Sequence, residues 1–373
     1  MSIRNNNQGS IVKPGFNPLG AQTTTTQATL FSWGRGTFGP LGLSNTTNYS
    51  SPKQVGSLTN WQIAKSQERS VIAIKTDGTL WSWGRNNNGQ LGLGNTTSYS
   101  SPKQVGILTA WSKVAGSNFS IATKTDGTLW TWGNNGTGQL GLGNVTYYSS
   151  PKQVGALTNW SKISNGELHA IAIKTDGTLW TWGMNAYGQL GLGNVTYYSS
   201  PKQVGALTTW FSIAGGERHT TAIKTDGTFW AWGRNNDGQL GLGNTTEYSS
   251  PKQVGSLTTW YQVACGAKHT IASKTDGTLW VWGNNLQGQL GLGNVTYYSS
   301  PKQVGILTLW LNISGGYAQT VATKTDGTLW NWGQNNFGQL GDGTIVSKSS
   351  PVQVGSLTTW LTPSGGRDFS ISL

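Results

Sequence analysis

The chain has 373 residues, of which 35% are hydrophobic, with 54 glycines, 20 tryptophans, a single cysteine and a formal net charge of +12. One cysteine, Cys265, excludes an intrachain disulfide and a zinc site built on cysteines. No apolar run is long enough for a membrane helix, and Met1 to Leu30 hold no signal-peptide hydrophobic segment, so synthesis in the cytoplasm is expected.

The charge largely dissolves on inspection. Six Lys-Thr-Asp-Gly turns, from Lys75 with Asp77 to Lys324 with Asp326, cancel internally. Six more lysines (Lys53, Lys103, Lys152, Lys202, Lys252 and Lys302) recur in the segment Ser-Pro-Lys-Gln-Val-Gly and predict an evenly spaced ring. Nucleic-acid sites gather basic residues on one face, so nucleic acid is not the favoured partner. Such a ring attracts polyanions only weakly and in a salt-dependent way.

Residues 1–27 come first and stand outside any repeat. Polar runs, Asn5-Asn6-Asn7-Gln8 and Thr23 to Thr26, surround a small apolar island from Val12 to Leu19. Such a segment builds no core of its own. It is expected to act as an arm that anchors the protein to an assembly partner, with a virus particle as one such assembly.

From residue 28 the chain becomes periodic. Trp-Gly recurs at Trp33, Trp83, Trp132, Trp182, Trp232, Trp282 and Trp332, a period of 50 residues with one step of 49. A fixed period of this size means stacked supersecondary units that bury a core only against their neighbours. In the unit from Trp210 to Trp260, FSIA reads as a first strand and HTTAIK as a second. Asp226-Gly227 between alternating runs predicts a tight hairpin into a third strand, TFWAWG, with Trp230 and Trp232 on one face. A glycine-punctuated loop then leads to PKQV, a fourth strand opening with Pro251 and therefore outermost. Four short strands per unit without helical periodicity predict an all-β, seven-bladed β-propeller spanning 28–373.

The ends predict how the ring closes. The chain enters at Ala28 to Trp33 as a third strand with no first or second before it. It leaves through Leu361 to Leu373, which supply the two missing strands. One composite blade, 28–61 plus 361–373, should thus pair C-terminal strands with the N-terminal one and remove an exposed sheet edge.

The consensus KTDGTLWxWGxNxxGQLGLGN, preceded by GxxHT and followed by a Pro-x-x-Val strand, resembles the regulator of chromosome condensation repeat family over residues 28–373. The resemblance implies a seven-bladed propeller closed by its terminal strands. It leaves activity open, because members include a nucleotide exchange factor, a ubiquitin-ligase targeting domain, a β-lactamase inhibitor and a plant photoreceptor. The photoreceptor branch carries Trp within Gly-Trp-Arg-His-Thr, whereas the stretch here reads Gly216-Glu217-Arg218-His219-Thr220. The exchange factor uses an inserted wedge that units of 49 to 50 residues lack.

No catalytic constellation, cofactor motif or metal site emerges, and a non-enzyme is expected. His169, His219 and His269 are equivalent positions in consecutive units, too far apart to share a zinc ion. Asp77 and its equivalents are turn residues. GQLGLGN repeats in nearly every unit without a following helix, so it is no phosphate loop. What varies between copies is a better lead. One variable segment precedes the second strand and includes Arg69, Glu217, Arg218, Lys268, Tyr317 and Arg367. Another follows Trp-Gly and includes Arg35, Phe38, Arg85, Met184, Tyr187, Arg234 and Phe337. Both should emerge on one face of the ring, and these residue types anchor interfaces. The expected function is a non-catalytic binding or structural propeller that presents this face to a protein or surface ligand. The alternative is a chromatin-associated or GTPase-regulating protein. On the binding reading, Tyr187→Ala with Phe337→Ala should leave folding intact. A third variable position, Tyr147, Tyr197 and Tyr297, suggests an aromatic rim patch.

Overall fold

Each repeat folds as four antiparallel strands because its apolar runs are short and every run ends at a glycine or a turn residue. In the computed structural model, which describes residues 28–306 and 309–373, the type unit consists of strands Trp210–Gly215, His219–Lys224, Phe229–Gly233 and Tyr248–Gln253. They pair in that order, and seven such four-stranded sheets form the ring. The first strand of each sheet lines the centre and the fourth lies at the rim. The arm, residues 1–27, falls outside the described residues.

The fourth strand differs from the sequence expectation in its start. It begins at Tyr248, so Pro251 lies inside it rather than at its head. The pairing register shifts between Ala231 and Gly233, opposite this stretch. A proline is tolerated there because its missing N–H faces away from the sheet, on the outermost edge.

What joins blade to blade is the third-strand tryptophan. Trp132 is fully buried, and its indole N–H donates to the Gln90 carbonyl of the preceding blade at 2.9 Å. Trp33, Trp83, Trp182, Trp232 and Trp282 do the same with Gln339, Pro40, Gln139, Gln189 and Gln239. The indole lies so close to the preceding loop that a Cβ on Gly92 would sit 2.7 Å from Nε1, and Gly92 also has φ +75°. Both facts demand glycine. The glycine-rich loop is therefore one half of a joint. The first-strand tryptophan completes it: Trp111 meets Trp130 and Trp132 edge-on, with centroids 6.0 and 6.1 Å apart. Edge-to-face pairs of this kind each contribute about 0.5–1.5 kcal/mol beyond their buried area.

The Lys-Thr-Asp-Gly turn is held just as locally. Asp77 Oδ1 accepts from the backbone N–H of Thr79 at 2.9 Å and from its hydroxyl at 2.6 Å. Trp81 Nε1 donates to the same hydroxyl at 2.8 Å. These bonds, led by the Thr79 hydroxyl, hold the Asp77 carboxyl below its ordinary pKa. Lys75 does not form an ion pair with it; the ammonium lies 3.7 Å from the Trp81 ring centroid. Charges that cancel in the sequence are thus placed separately in space.

The three histidines form a second inter-blade contact. Each is fully buried, and its Nε2 lies 2.9 to 3.2 Å from a threonine hydroxyl of the next blade, Thr220, Thr270 or Thr320. Each hydroxyl donates onward to a glutamine carbonyl at 2.8 Å, so the imidazole must supply the proton and is neutral with hydrogen on Nε2. The ring lies over the glycine three residues earlier; a Cβ on Gly216 would be 2.0 Å from His219 Cε1. That contact is why the segment reads GxxH. In the blade after His269, Gln319 replaces histidine and donates to Phe369 O at 3.0 Å.

Closure follows the expected route. Strand Phe31–Gly34 pairs on one side with Tyr49–Gln54 and on the other with Phe369–Ser372, which in turn pairs with Pro363–Gly365. Ala28 bridges to Trp61, taking the place that the turn glycine holds in other blades. Deleting Ser364–Leu373 strips the first blade of both inner strands, so the melting temperature should fall sharply; an unchanged melt would contradict the closure.

Burial lowers the pKa of His169, His219 and His269 to about 3. Between the ordinary histidine value and that figure, the unfolded chain binds protons that the folded one refuses, so stability falls as pH drops from 7 toward 3. At pH 4 the loss is roughly 3 kcal/mol per histidine. Replacing all three with glutamine, as at Gln319, should flatten the melting curve's dependence on pH between 7 and 4. An equally steep dependence in the variant would rule the histidines out as its source.

Candidate interaction face

The loop between strands one and two and the loop leaving strand three emerge together. Arg85 N donates to Arg69 O at 2.9 Å and Arg35 N to Asp368 O at 2.9 Å, so the two variable segments of a blade touch. They form two concentric rings on one face.

The inner ring surrounds the mouth of the central channel, a funnel enclosing about 200 Å3. Glu68, Glu167 and Glu217 line one side of it, and Tyr317 and Arg367 the other. Arg367 bridges the halves: its Nη1 lies 2.6 Å from Glu68 Oε1 and its guanidinium carbon 4.6 Å from the Tyr317 ring centroid. Glu217 is paired with Arg218 at 3.4 Å, which leaves Glu167 between them as the one of the three without an ion pair among the described residues. Burial, then Glu217 and Glu68, raise the pKa of Glu167.

The outer ring lies on the seams between blades, and here the structure revises the sequence reading. Phe38 sits between Arg69 and Arg85 of the next blade, at 5.7 and 5.6 Å. Tyr187 sits between Arg218 and Arg234, at 5.2 and 5.5 Å, and its hydroxyl accepts from Arg218 Nη1 at 2.9 Å. Phe337 lies under Arg35 at 4.5 Å, and Arg35 is paired with Asp368 at 3.2 Å. Asp237 accepts from Asn284 at 2.9 Å in the seam that also carries Lys268. Met184 shares its seam with Leu168, whose carbonyl receives both the Met184 N–H and the Thr137 hydroxyl.

The variable residues are thus matched to each other across seams. Wherever the loop carries an aromatic ring, arginine faces it; the copies with Asn88, Thr137, Asp237 or Gln287 face no arginine. The partner lies 31 or 47 residues further on, a signal present in the sequence but invisible when each variable column is read alone. Tyr187 and Phe337 are half-buried in these contacts, so removing both costs stability and cannot serve as a clean binding test.

More freely presented are Leu286, 64% exposed, and Tyr317, 38% exposed, with Lys268 beside them. Tyr147, Tyr197 and Tyr297 are exposed at the outer edge of the same face. Among the described residues no group of three or more His, Cys, Asp or Glu side chains is placed to hold a metal ion. Cys265 is half-buried where it lines the channel, and desolvation pushes its thiol up to about 12.

The seams make a measurable claim. Phe38→Ala leaves two guanidiniums without the ring they share and should destabilise the protein by about 1–3 kcal/mol in chemical denaturation. Asn88→Ala, at the equivalent position of a seam without arginine, should change it by no more than about 0.5 kcal/mol. Equal effects would show that the stacking contributes nothing.

The comparisons with known proteins agree with this geometry. Stretches 27–66, 77–123, 126–173, 176–223, 226–273, 276–323 and 326–373 match the family described as Regulator of chromosome condensation (RCC1) repeat. Comparison with curated protein sequences returns no match. Among solved structures, Prp20p from Saccharomyces cerevisiae, described for its binding properties to Gsp1p and histones, is 20% identical with a TM-score of 0.82, covering 94% of this chain and 92% of that one. Human WBSCR16 is 21% identical, also at 0.82, covering 92% of this chain and 98% of its own. Yeast RCC1 (Prp20) bound to Kap60 is 19% identical at 0.83, covering 100% and 96%. At these identities the likeness is one of fold, and the seven matched repeats carry the assignment: this chain belongs to the regulator of chromosome condensation repeat family.

Proposed function

We propose that the protein is a non-catalytic binding platform that engages a protein partner through the loop face. The observation that carries this reading is the segregation of side-chain chemistry. All six arginines of residues 28–373 lie on this one face, together with the acidic half of the channel mouth and the exposed Leu286 and Tyr317. The opposite face carries the invariant turns. Arginines and aromatic rings locked by the seams form a preorganised surface, which lowers the entropy lost on binding. A charge-split mouth favours a partner with complementary basic and acidic groups. That Prp20p is described as binding other proteins is consistent with this use of the ring.

The seams narrow the contact to the residues they leave free. Lys268, Leu286 and Tyr317 are neighbours on two adjacent blades, and they are the centre of the proposed contact. A double variant, Lys268→Glu with Leu286→Asp, should keep the melting temperature within a few degrees; Tyr317 stays intact because Arg367 stacks on its ring at 4.6 Å. It should abolish retention of a partner from the source cell's lysate. Leu257→Asp, on the opposite face, should retain it. Equal retention by both variants, or equal loss, would refute a loop-face contact.

A further inference from the structure

The first strands that line the central channel give its two ends opposite charge. At the loop face the channel begins with Glu68, Glu167 and Glu217. At the other end Lys65, Lys113 and Lys162, from three consecutive blades, surround a cavity of about 290 Å3 backed by Ile63, Ile163 and Ile213. No carboxylate lines this cavity among the described residues.

The scaffold does not require these lysines. The positions equivalent to Lys113 and Lys162 hold Ile63, Ser212, Gln262, Asn312 and Thr362 in the other blades. Those equivalent to Lys65 hold only alanine or serine, such as Ala115, Ser164 and Ser314. Three cations have therefore been placed on one side of a channel whose other side is uncharged. Lys113 and Lys162 each donate to one carbonyl of the next blade, Ser161 O and Phe211 O. The Lys162 ammonium also lies 3.8 Å from the Phe211 ring centroid, and none of these contacts supplies a counter-charge. Lys65 is half-buried along the channel wall and makes no hydrogen bond or ion pair among the described residues. Burial lowers the pKa of Lys162, and repulsion from Lys113 lowers it further. Ammonium groups gathered without a counter-charge are costly unless an anion joins them.

We propose that this end of the channel binds a small multivalent oxyanion of the phosphate or diphosphate class, held jointly by the ammonium groups of Lys65, Lys113 and Lys162. The cavity suits such an ion in size, and the exposed Lys113 stands at its entrance. Apolar walls backing three donors strengthen charge-assisted hydrogen bonds. The site lies at the opposite end of the channel from the proposed protein contact and does not depend on it.

Inorganic diphosphate is the probe, titrated calorimetrically into the full chain at low salt, with melting temperature as a second readout. Binding should raise the melting temperature. Lys162→Gln and Lys65→Met should each weaken binding roughly tenfold or more. Lys103→Gln, one of the regular rim lysines, should leave it unchanged. In anion-free buffer Lys65→Met should melt higher than the parent protein, because it removes an unpartnered, half-buried charge beside two other lysines. Absence of diphosphate binding, or equal loss in Lys103→Gln and Lys162→Gln, overturns the proposal. A lower melting temperature for anion-free Lys65→Met overturns it as well.

Discussion

Everything in this ring depends on the contact between a tryptophan and the loop of the blade before it. A four-stranded sheet of short strands cannot bury its faces alone. The indole of the third strand solves this by crossing the gap, filling it with apolar area and spending its one N–H on a neighbour's carbonyl. The glycine beneath it is there so that the indole can come that close. The first-strand tryptophan then fixes the indole edge-on. The indole packs this way at all seven seams and makes the N–H bond at six of them, Trp332 being the exception, and that is what turns seven marginal sheets into a single body.

The scaffold was legible in the sequence for the same reason. Tryptophan, glycine and Asp-Gly recur at fixed spacing because each has one local task, and local tasks leave periodic marks. The composite blade could be read from which strands the ends lacked. The start of the outer strand was less legible. Proline marks where a strand tolerates a missing donor, not where the strand begins, and an edge strand can run past it. The histidines could be placed in the scaffold but not explained. Their partners are threonines one blade away, and the glycine that accommodates the ring became meaningful only once the ring was seen lying on it.

The candidate face rests on residues that vary between repeats, and the structure pairs several of them with one another. Reading the repeats column by column separates what is constant from what varies, and it set Arg69, Tyr187 and Phe337 together as free to serve a partner. The structure shows that such residues serve each other first. Phe38 with Arg69 and Arg85, and Tyr187 with Arg218 and Arg234, vary as units because they face one another across a seam. Variation within a repeat protein therefore mixes two sources, matching between neighbours and recognition of something outside. Only pairwise reading at the inter-blade offset separates them. What is left after that separation, Lys268, Leu286 and Tyr317, is smaller and more useful than the original set.

The composite blade also places the protein in time. The strand Phe31–Gly34 is the first strand of the propeller to be synthesised, and its neighbour Phe369–Ser372 is the last strand of the propeller. The six blades between them are each contiguous in sequence and can form in turn as the chain emerges. The seventh must wait with an unpaired edge until Pro363–Gly365 and Phe369–Ser372 have emerged. Completion of the ring thus requires both ends of the repeat array, and an array cut short before its last two strands is left with an open, aggregation-prone end rather than a smaller ring.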